Sequence, residues 1–418
     1  MFYGWYMVMA CVMISMYFSG TIYMGFTTIF TPIANEMGWS YTQVSFAASL
    51  RGFEAGLLVP ISGMIMDRWG PRRVLFGGAF MTGLGLLLLS RIQSLFMFYV
   101  AFGLVCMGMS TAPTGLLMSA VANWFRRNEG LAMGITASGV SLGGLLIPVV
   151  TYLVDTFGWR QAMVIVGFGV FAIPLPLSLV LRHRPEKYGY LPDGAKKGTS
   201  SEQIARPMGK ERAVDPDFST KQALCSWVFW TVAIAFSFHV MAVNAIATHI
   251  MPFFSSIGVK RSISGFIISA VPLIGIVGRI GFGWMGDRMD KMRIATLALA
   301  LTGLGTLTFM FVTADHAWLI ITFIVIYGIG WGGIVPMLSG LVIKYFGRNR
   351  MGTIVGCINS IMMLGTITGA PLAGWIFDMK GSYHLAWLIM GSLLMIAAVI
   401  FFFLLRQYKG YNTADNEA

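Results

Sequence analysis

The chain is 418 residues long, 56% apolar and only 11% charged, with a formal net charge of +12 and a mean hydropathy of +0.74. Soluble domains carry roughly 25% charged residues, so this composition excludes an ordinary water-soluble protein and assigns the apolar surface to a bilayer. Nearly all the positive excess falls in short loops, where anionic headgroups account for it, which argues against nucleic-acid binding.

Apolar runs near the ~20 residues that cross a hydrocarbon core predict spans, in chain order, at 6–30, 43–66, 73–90, 95–122, 130–154, 161–181, 226–253, 263–286, 293–313, 317–345, 352–377 and 385–405. They are expected to be helices, because hydrocarbon offers no partner to unpaired backbone groups and the ten-residue alternation of a membrane barrel is missing. The first run has no basic residue before it and exceeds the length of a signal h-region, so it is read as helix 1 rather than a cleaved leader. Twelve crossings put both termini on one side. On that side stand 22 of the 29 Lys and Arg; the opposite loops hold Arg91, Arg160, Lys260, Arg261 and Lys380, and Arg51 and Arg279 lie inside spans. The positive-inside rule therefore places both termini in the cytoplasm of a cell membrane. Cys11, Cys106, Cys225 and Cys357 lack C-x-x-C spacing and the histidines are scattered, so neither a disulfide framework nor a metal site is expected.

The halves repeat. Gly63-Met-Ile-Met-Asp67-Arg68-Trp-Gly70-Pro71-Arg72-Arg73 ends helix 2, and Gly283-Trp-Met-Gly-Asp287-Arg288 ends helix 8, so G-x-x-x-D-R recurs 220 residues on. Arg127-Asn128-Glu129-Gly130 before helix 5 is echoed by Arg348-Asn349-Arg350-Met-Gly352 before helix 11. Residues 182–222 between the halves are polar and rich in turn formers, as a linker is. The predicted organisation is a six-helix bundle at 1–181, the linker at 182–222, a second six-helix bundle at 223–405 and a cytoplasmic tail at 406–418.

These motifs and the 6+6 layout resemble the major facilitator superfamily over almost the whole chain. Within it, Asp-Arg-Trp-Gly-Pro-Arg-Arg, the opening Tyr3-Gly4-Trp5-Tyr6, and Arg279 eight residues before Asp287 are similar to the monocarboxylate transporter and oxalate/formate exchanger families. The resemblance implies an all-α fold of two bundles related by a pseudo-twofold axis, with alternating access. It also implies a cavity lined by helices 1, 4, 7 and 10, to which Tyr23, Thr114, Asn244, Tyr327 and Trp331 would contribute, and an anion-binding role for Arg279.

The residues carry readings of their own. Asp67 at a helix C-terminus faces an unfavourable dipole and needs cationic or helix N-terminal partners, so a rim latch with Arg68, Arg72 and Arg73, repeated at Asp287 and Arg288, competes with a purely topological role. Glycines at 134, 139, 143 and 144 of helix 5 and at 356, 365, 369 and 374 of helix 11 allow close packing or pivoting. Arg279 sits about 12 Å along its helix from the rim with no acid three or four residues away, so it is assigned to a substrate carboxylate, the alternative being an acid on another helix. Arg51 and Glu54, three apart on helix 2, either neutralise each other or hold a carboxyl that loads and releases a proton. His239 is a rival proton carrier by its intrinsic pKa, and His249, nearer the outer end, ranks below it.

One central cation suits a monocarboxylate: helix 11 holds no Lys or Arg from Gly352 to Phe377, whereas oxalate/formate exchangers carry a lysine there. Helix 1 also lacks the lysine common in monocarboxylate transporters. The expected activity is secondary transport of a short acid such as lactate or pyruvate with a proton, by a monomer without a cofactor. An antiporter of the oxalate/formate type and a transporter-like sensor are the alternatives. No catalytic motif such as H-E-x-x-H or G-x-S-x-G and no ATP-binding P-loop occurs, so an enzyme is not expected.

Overall fold

Twelve long helical segments, with a short helix Thr220–Cys225 between the two halves, follow one another in the computed structural model, which describes residues 2–112, 114–125, 129–182, 220–286, 288–313, 316, 318–334, 337–346 and 351–414; no strand occurs among them. In the first half these are α1 (Tyr3–Met37), α2 (41–69), α3 (Pro71–Leu89), α4 (Leu95–Met109 with Thr114–Ala122), α5 (129–157) and α6 (159–178). In the second half they are α7 (Trp227–Ser256), α8 (Arg261–Gly286), α9 (Lys291–Met310), α10 (Leu319–Ile334 with Met337–Phe346), α11 (Met351–Lys380) and α12 (His384–Ala414). Each overlaps one predicted span. Of the predicted linker only residues 182 and 220–222 are described, and α12 stays helical through residue 406 as far as Ala414.

Eight of these stretches, including the merged α5–α6, are long and apolar enough to cross a membrane, and Leu95–Met109 and Leu319–Ile334 are shorter apolar helices. Large apolar side chains such as Phe266, Ile280 and Ile321 stand outward and exposed, as hydrocarbon-facing side chains do.

Two compact units form, residues Met1–Trp39 with Phe53–Ala213, and residues Ser40–Gly52 with Val214–Ala418. The chain changes unit inside α2, so the first third of that helix packs with the second half of the sequence.

The repeat is written into the backbone. Gly38 ends α1 and Gly258 follows α7, 220 residues later, both with positive φ (67° and 81°); Gly158 separates α5 from α6 and Gly381 follows α11, 223 residues later, at 80° and 65°. A left-handed residue closes a helix C-terminus cheaply only when it lacks a Cβ, so equivalent turns select glycine in both halves. Packing repeats as well. In the first unit a Cβ on Gly139 would lie 2.7 Å from the Val12 carbonyl, joining α5 to α1; in the second, Cβ atoms on Gly365 and Gly369 would strike the carbonyls of Ser237 and Met241, joining α11 to α7. Gly134 and Gly356, on the same two helices, face open space. The glycine stripes are thus split between tight seams and free faces.

Three helices depart from α-geometry: α5 tightens to a 3-10 turn at Gly143–Leu146, and two others widen. Phe18–Tyr23 in α1 and Glu54–Leu58 in α2 are π-helical turns, a conformation that inserts an extra residue per turn and concentrates at functional positions.

Candidate functional site

Both π turns border one cavity in the first unit. It has a volume of about 250 Å³ and is lined by Ser15, Phe18, Ser19, Tyr23, Glu54, Met109, Ala112 and Val140. Phe18, Ser19 and Tyr23 belong to one π turn and Glu54 opens the other. Two residues singled out in the sequence for different reasons, Tyr23 and Glu54, therefore share a space. The Ser19 hydroxyl donates to the Val140 carbonyl at 3.0 Å, whereas the buried Ser15 hydroxyl finds no hydrogen-bond partner among the described residues. Glu54 is half-buried, a carboxyl among mostly apolar walls with the Ser15, Ser19 and Tyr23 hydroxyls lining the same cavity. Arg51 is buried and belongs to the α2 segment of the second unit.

In the second unit Arg279 lies about 10 Å along α8 from the helix end at Gly286. Its guanidinium carbon stands 5.9 Å from the ring centroid of Trp331 on α10. The helices approach this closely because Cβ atoms on Gly278 and Gly332 would strike the Ile329 and Gly275 carbonyls, and the Trp331 ring lies against Gly275, 2.8 Å from where its Cβ would be. The ring face attracts the cation without using up its in-plane N–H fork. Tyr327, one turn from Trp331, is buried and stacked on Phe323 at 5.0 Å, with its backbone against Gly305 of α9. It thus packs into the aromatic core, and the two i, i+4 neighbours meet different partners.

Asn244 on α7 donates from Nδ2 to the Thr366 carbonyl of α11 at 2.6 Å, while its Oδ1 has no hydrogen-bond partner among the described residues. His239 is buried on the same helix, with Nδ1 likewise without a described partner. His249, ranked lower from sequence, is the better connected histidine: it meets Ser45, Tyr383 and the Ala370 carbonyl. Its partners are 204, 134 and 121 residues away, so no local pattern announces it.

The rim motifs are partly in view. Arg68, Arg72 and Arg73 are exposed, Gly70 turns the chain at φ 80°, and the Arg288 guanidinium stacks on Trp284 at 3.9 Å. Gly63 faces Leu116 of α4 at ordinary contact distance. The side chains of Asp67 and Thr114, and residue Asp287, lie outside the described part. At this rim the described acid is Asp290, which caps α9 by accepting from the Met292 amide and pairs with Lys344 of α10 at 2.5 Å.

Burial acts to raise the Asp290 carboxyl, but the hydrogen bond and charge of Lys344, with the Met292 and Arg293 amides, outweigh it and hold the group below its ordinary value. A depressed carboxyl contributes stability above its unfolded-state pKa, and that contribution is lost as pH falls through the folded one. The melting-temperature gap between the protein and Lys344→Met is expected to be constant near neutrality and to close on acidification. Both side chains are about one-third exposed, so the gap is small and shrinks further in high salt.

The sequence profile of the Major Facilitator Superfamily matches residues 9–369. Monocarboxylate transporter 13 of Rattus norvegicus is 23% identical over 400 residues, covering 94% of this chain and 87% of that protein, and monocarboxylate transporter 12 of Xenopus laevis is 23% identical over 412 residues, covering 95% and 88%. Among solved structures, the nucleoside transporter NupG superposes with a TM-score of 0.70 at 14% identity over 96% of this chain and 99% of its own. A bacterial homologue of the human lysosomal transporter Spinster superposes with a TM-score of 0.71 at 16% identity, covering 96% of each. With the twelve-helix repeat and the profile match in agreement, the chain belongs to the major facilitator superfamily, a family of multi-pass membrane transporters and not of enzymes.

Proposed function

We propose that this transporter moves a short monocarboxylate of the lactate or pyruvate type together with a proton, by alternating access, with both termini in the cytoplasm. The observation that carries this reading is Arg279, a cation that cannot shed its charge, set inside a helix and braced by Trp331. A planar carboxylate matches the guanidinium fork, and apolar residues around it suit a short organic tail. The names of the curated relatives point to the same class of substrate. With no Lys or Arg between Gly352 and Phe377 of α11, a second carboxylate would lack a matching charge there, which disfavours oxalate.

Glu54 in its cavity is the assigned proton site, with Tyr23 supplying a hydroxyl at the wall; Arg51, three residues earlier, is the other coupling candidate on α2. His239 is the competing carrier. Asn244 and Thr114 remain assigned to the substrate cavity.

Labelled lactate in proteoliposomes tests the reading. An inward proton gradient is expected to drive accumulation. Glu54→Gln should keep counterflow exchange while losing its response to pH. Binding without uptake would leave a sensor rather than a transporter, uptake that needs an internal acid would favour an antiporter, and an unchanged pH profile in Glu54→Gln would move the proton to another group.

A further inference from the structure

At the end of the second unit remote from Asp290 and Lys344, the first residues of α2 are held by a closed polar cluster. Asp378 at the end of α11 accepts from the Tyr41 and Thr42 amides at 3.0 and 2.8 Å and from the Thr42 hydroxyl at 2.5 Å. The Tyr41 ring stacks on Phe377 at 4.6 Å, and Phe377 stacks on Tyr383 at 4.4 Å. Gly374 lets α11 and α2 meet here, since a Cβ there would stand 2.7 Å from the Ser45 hydroxyl and 2.8 Å from the Tyr41 carbonyl. One turn further, the Ser49 hydroxyl donates to the Ile367 carbonyl at 2.6 Å.

His249 lies at the centre, fully buried, and its neighbours fix its tautomer. The Ala370 carbonyl, 2.9 Å from Nε2, can only accept, so Nε2 carries the hydrogen. Ser45 donates its own proton to the Tyr41 carbonyl at 2.6 Å and therefore also accepts from Nε2, at 2.9 Å. Nδ1 is then a bare acceptor, and the Tyr383 hydroxyl 3.0 Å away donates to it. Burial, with Tyr41 and Asp378 nearby, pushes Tyr383 well above the ordinary tyrosine range, so it acts only as a hydroxyl.

We propose that His249 is a proton-binding latch: the neutral ring closes the grip of α7, α11 and the head of α12 on residues 41–49 of α2, and a second proton, taken from water onto Nδ1, releases it. Nδ1–H would then need the Tyr383 hydroxyl to turn from donor to acceptor, and the new charge would sit in a fully buried position. The titratable groups described beside His249 are Asp378 from α11 and Tyr383 ahead of α12, with Tyr41 of α2 beside Tyr383. Among these only Asp378 offers an opposite charge, and its oxygens already accept three hydrogen bonds from the α2 segment. Protonation thus trades a satisfied neutral cluster for one that must reorient around a buried cation. The idea concerns the hold on α2 and stands whichever anion Arg279 accepts.

Spin labels at Phe46→Cys and Met379→Cys, both exposed positions, report this hold in the full chain with its four native cysteines replaced by alanine. At pH 8 double electron–electron resonance should give one short distance. At pH 5 a longer-distance population is expected to grow at least about threefold. His249→Gln, whose amide still donates to Ala370 and accepts from Tyr383 but does not titrate, should keep the short distance at both pH values. Tyr383→Phe, which removes the donor to Nδ1, should show the longer population already at pH 8. A distribution that ignores pH in the parent protein would overturn the latch. So would a pH response that survives in His249→Gln, or a Tyr383→Phe profile identical to the parent at pH 8. No substrate is present, so failure here is separate from failure of the carboxylate reading.

Discussion

Arg279→Ala is expected to lose lactate binding by at least about 100-fold, equivalent to ~2.7 kcal/mol, and Arg279→Lys to lose nearly as much. The alanine variant removes the one cation described in the interior of α8. A carboxylate entering that space would give up its water and find no charge in return, the situation in which truncating one member of a desolvated pair costs 2–5 kcal/mol or more. Lysine keeps the charge and fails for a different reason. Its ammonium is a point donor on a flexible stem, unable to present two parallel N–H groups to a carboxylate as the guanidinium near the Trp331 ring does. Calorimetric titration of lactate into purified variants reads the effect, with gel filtration confirming the fold. Near-normal affinity in either variant would refute the anchor role and return Arg279 to a structural pairing.

The bracing predicts a graded companion effect without a separate assay. Trp331 is held by the close approach of α8 and α10, where Gly275, Gly278 and Gly332 leave no room for side chains. The arginine is therefore pre-oriented before any anion arrives, and less side-chain entropy is lost on binding than for a freely rotating cation. In the repeat, the position equivalent to Arg279 is Val59, just past the π turn that Glu54 opens. The two halves share turns and seams but differ in their interior charges: Arg279 in one, Glu54 in the other.

That division explains what the sequence could disclose. Spans and the repeat were legible because they depend on composition and on a fixed offset, both one-dimensional properties. Arg279 and Glu54 were legible because an ionisable group inside an apolar run is costly wherever it points. The turns at Gly38, Gly158, Gly258 and Gly381 add a backbone reason for the repeat that the motifs did not contain. The π turns left no sequence mark, because no residue type selects an extra residue in a helical turn. The cluster around His249 was equally hidden. Its members come from α2, α7, α11 and the head of α12, and its meaning lies in which atom donates to which. The stack of Tyr327 on Phe323 was hidden for the same reason, since Phe323 is set against it by the packing of α10 and not by any motif.

Gly369→Ala and Gly356→Ala should move stability in opposite directions although both add one methyl to α11. At Gly356 the new Cβ enters open space, so alanine gains the roughly 1 kcal/mol by which it exceeds glycine in helix propensity. At Gly369 the same Cβ would strike the Met241 carbonyl, and four residues earlier Gly365 abuts the Ser237 carbonyl in the same way. Backbone cannot yield as a side chain does, so α7 and α11 must part. Parting lengthens the Asn244 bond to the Thr366 carbonyl, 2.6 Å in the intact seam. Overpacking of this kind costs about 1–3 kcal/mol, and the stretched hydrogen bond adds to it. Melting followed by intrinsic tryptophan fluorescence in one detergent should therefore place Gly369→Ala below the parent by several degrees and Gly356→Ala at or above it. Equal melting temperatures for the two variants would mean that the seam adjusts freely, and the glycines of α11 would then be hinge residues rather than packing residues.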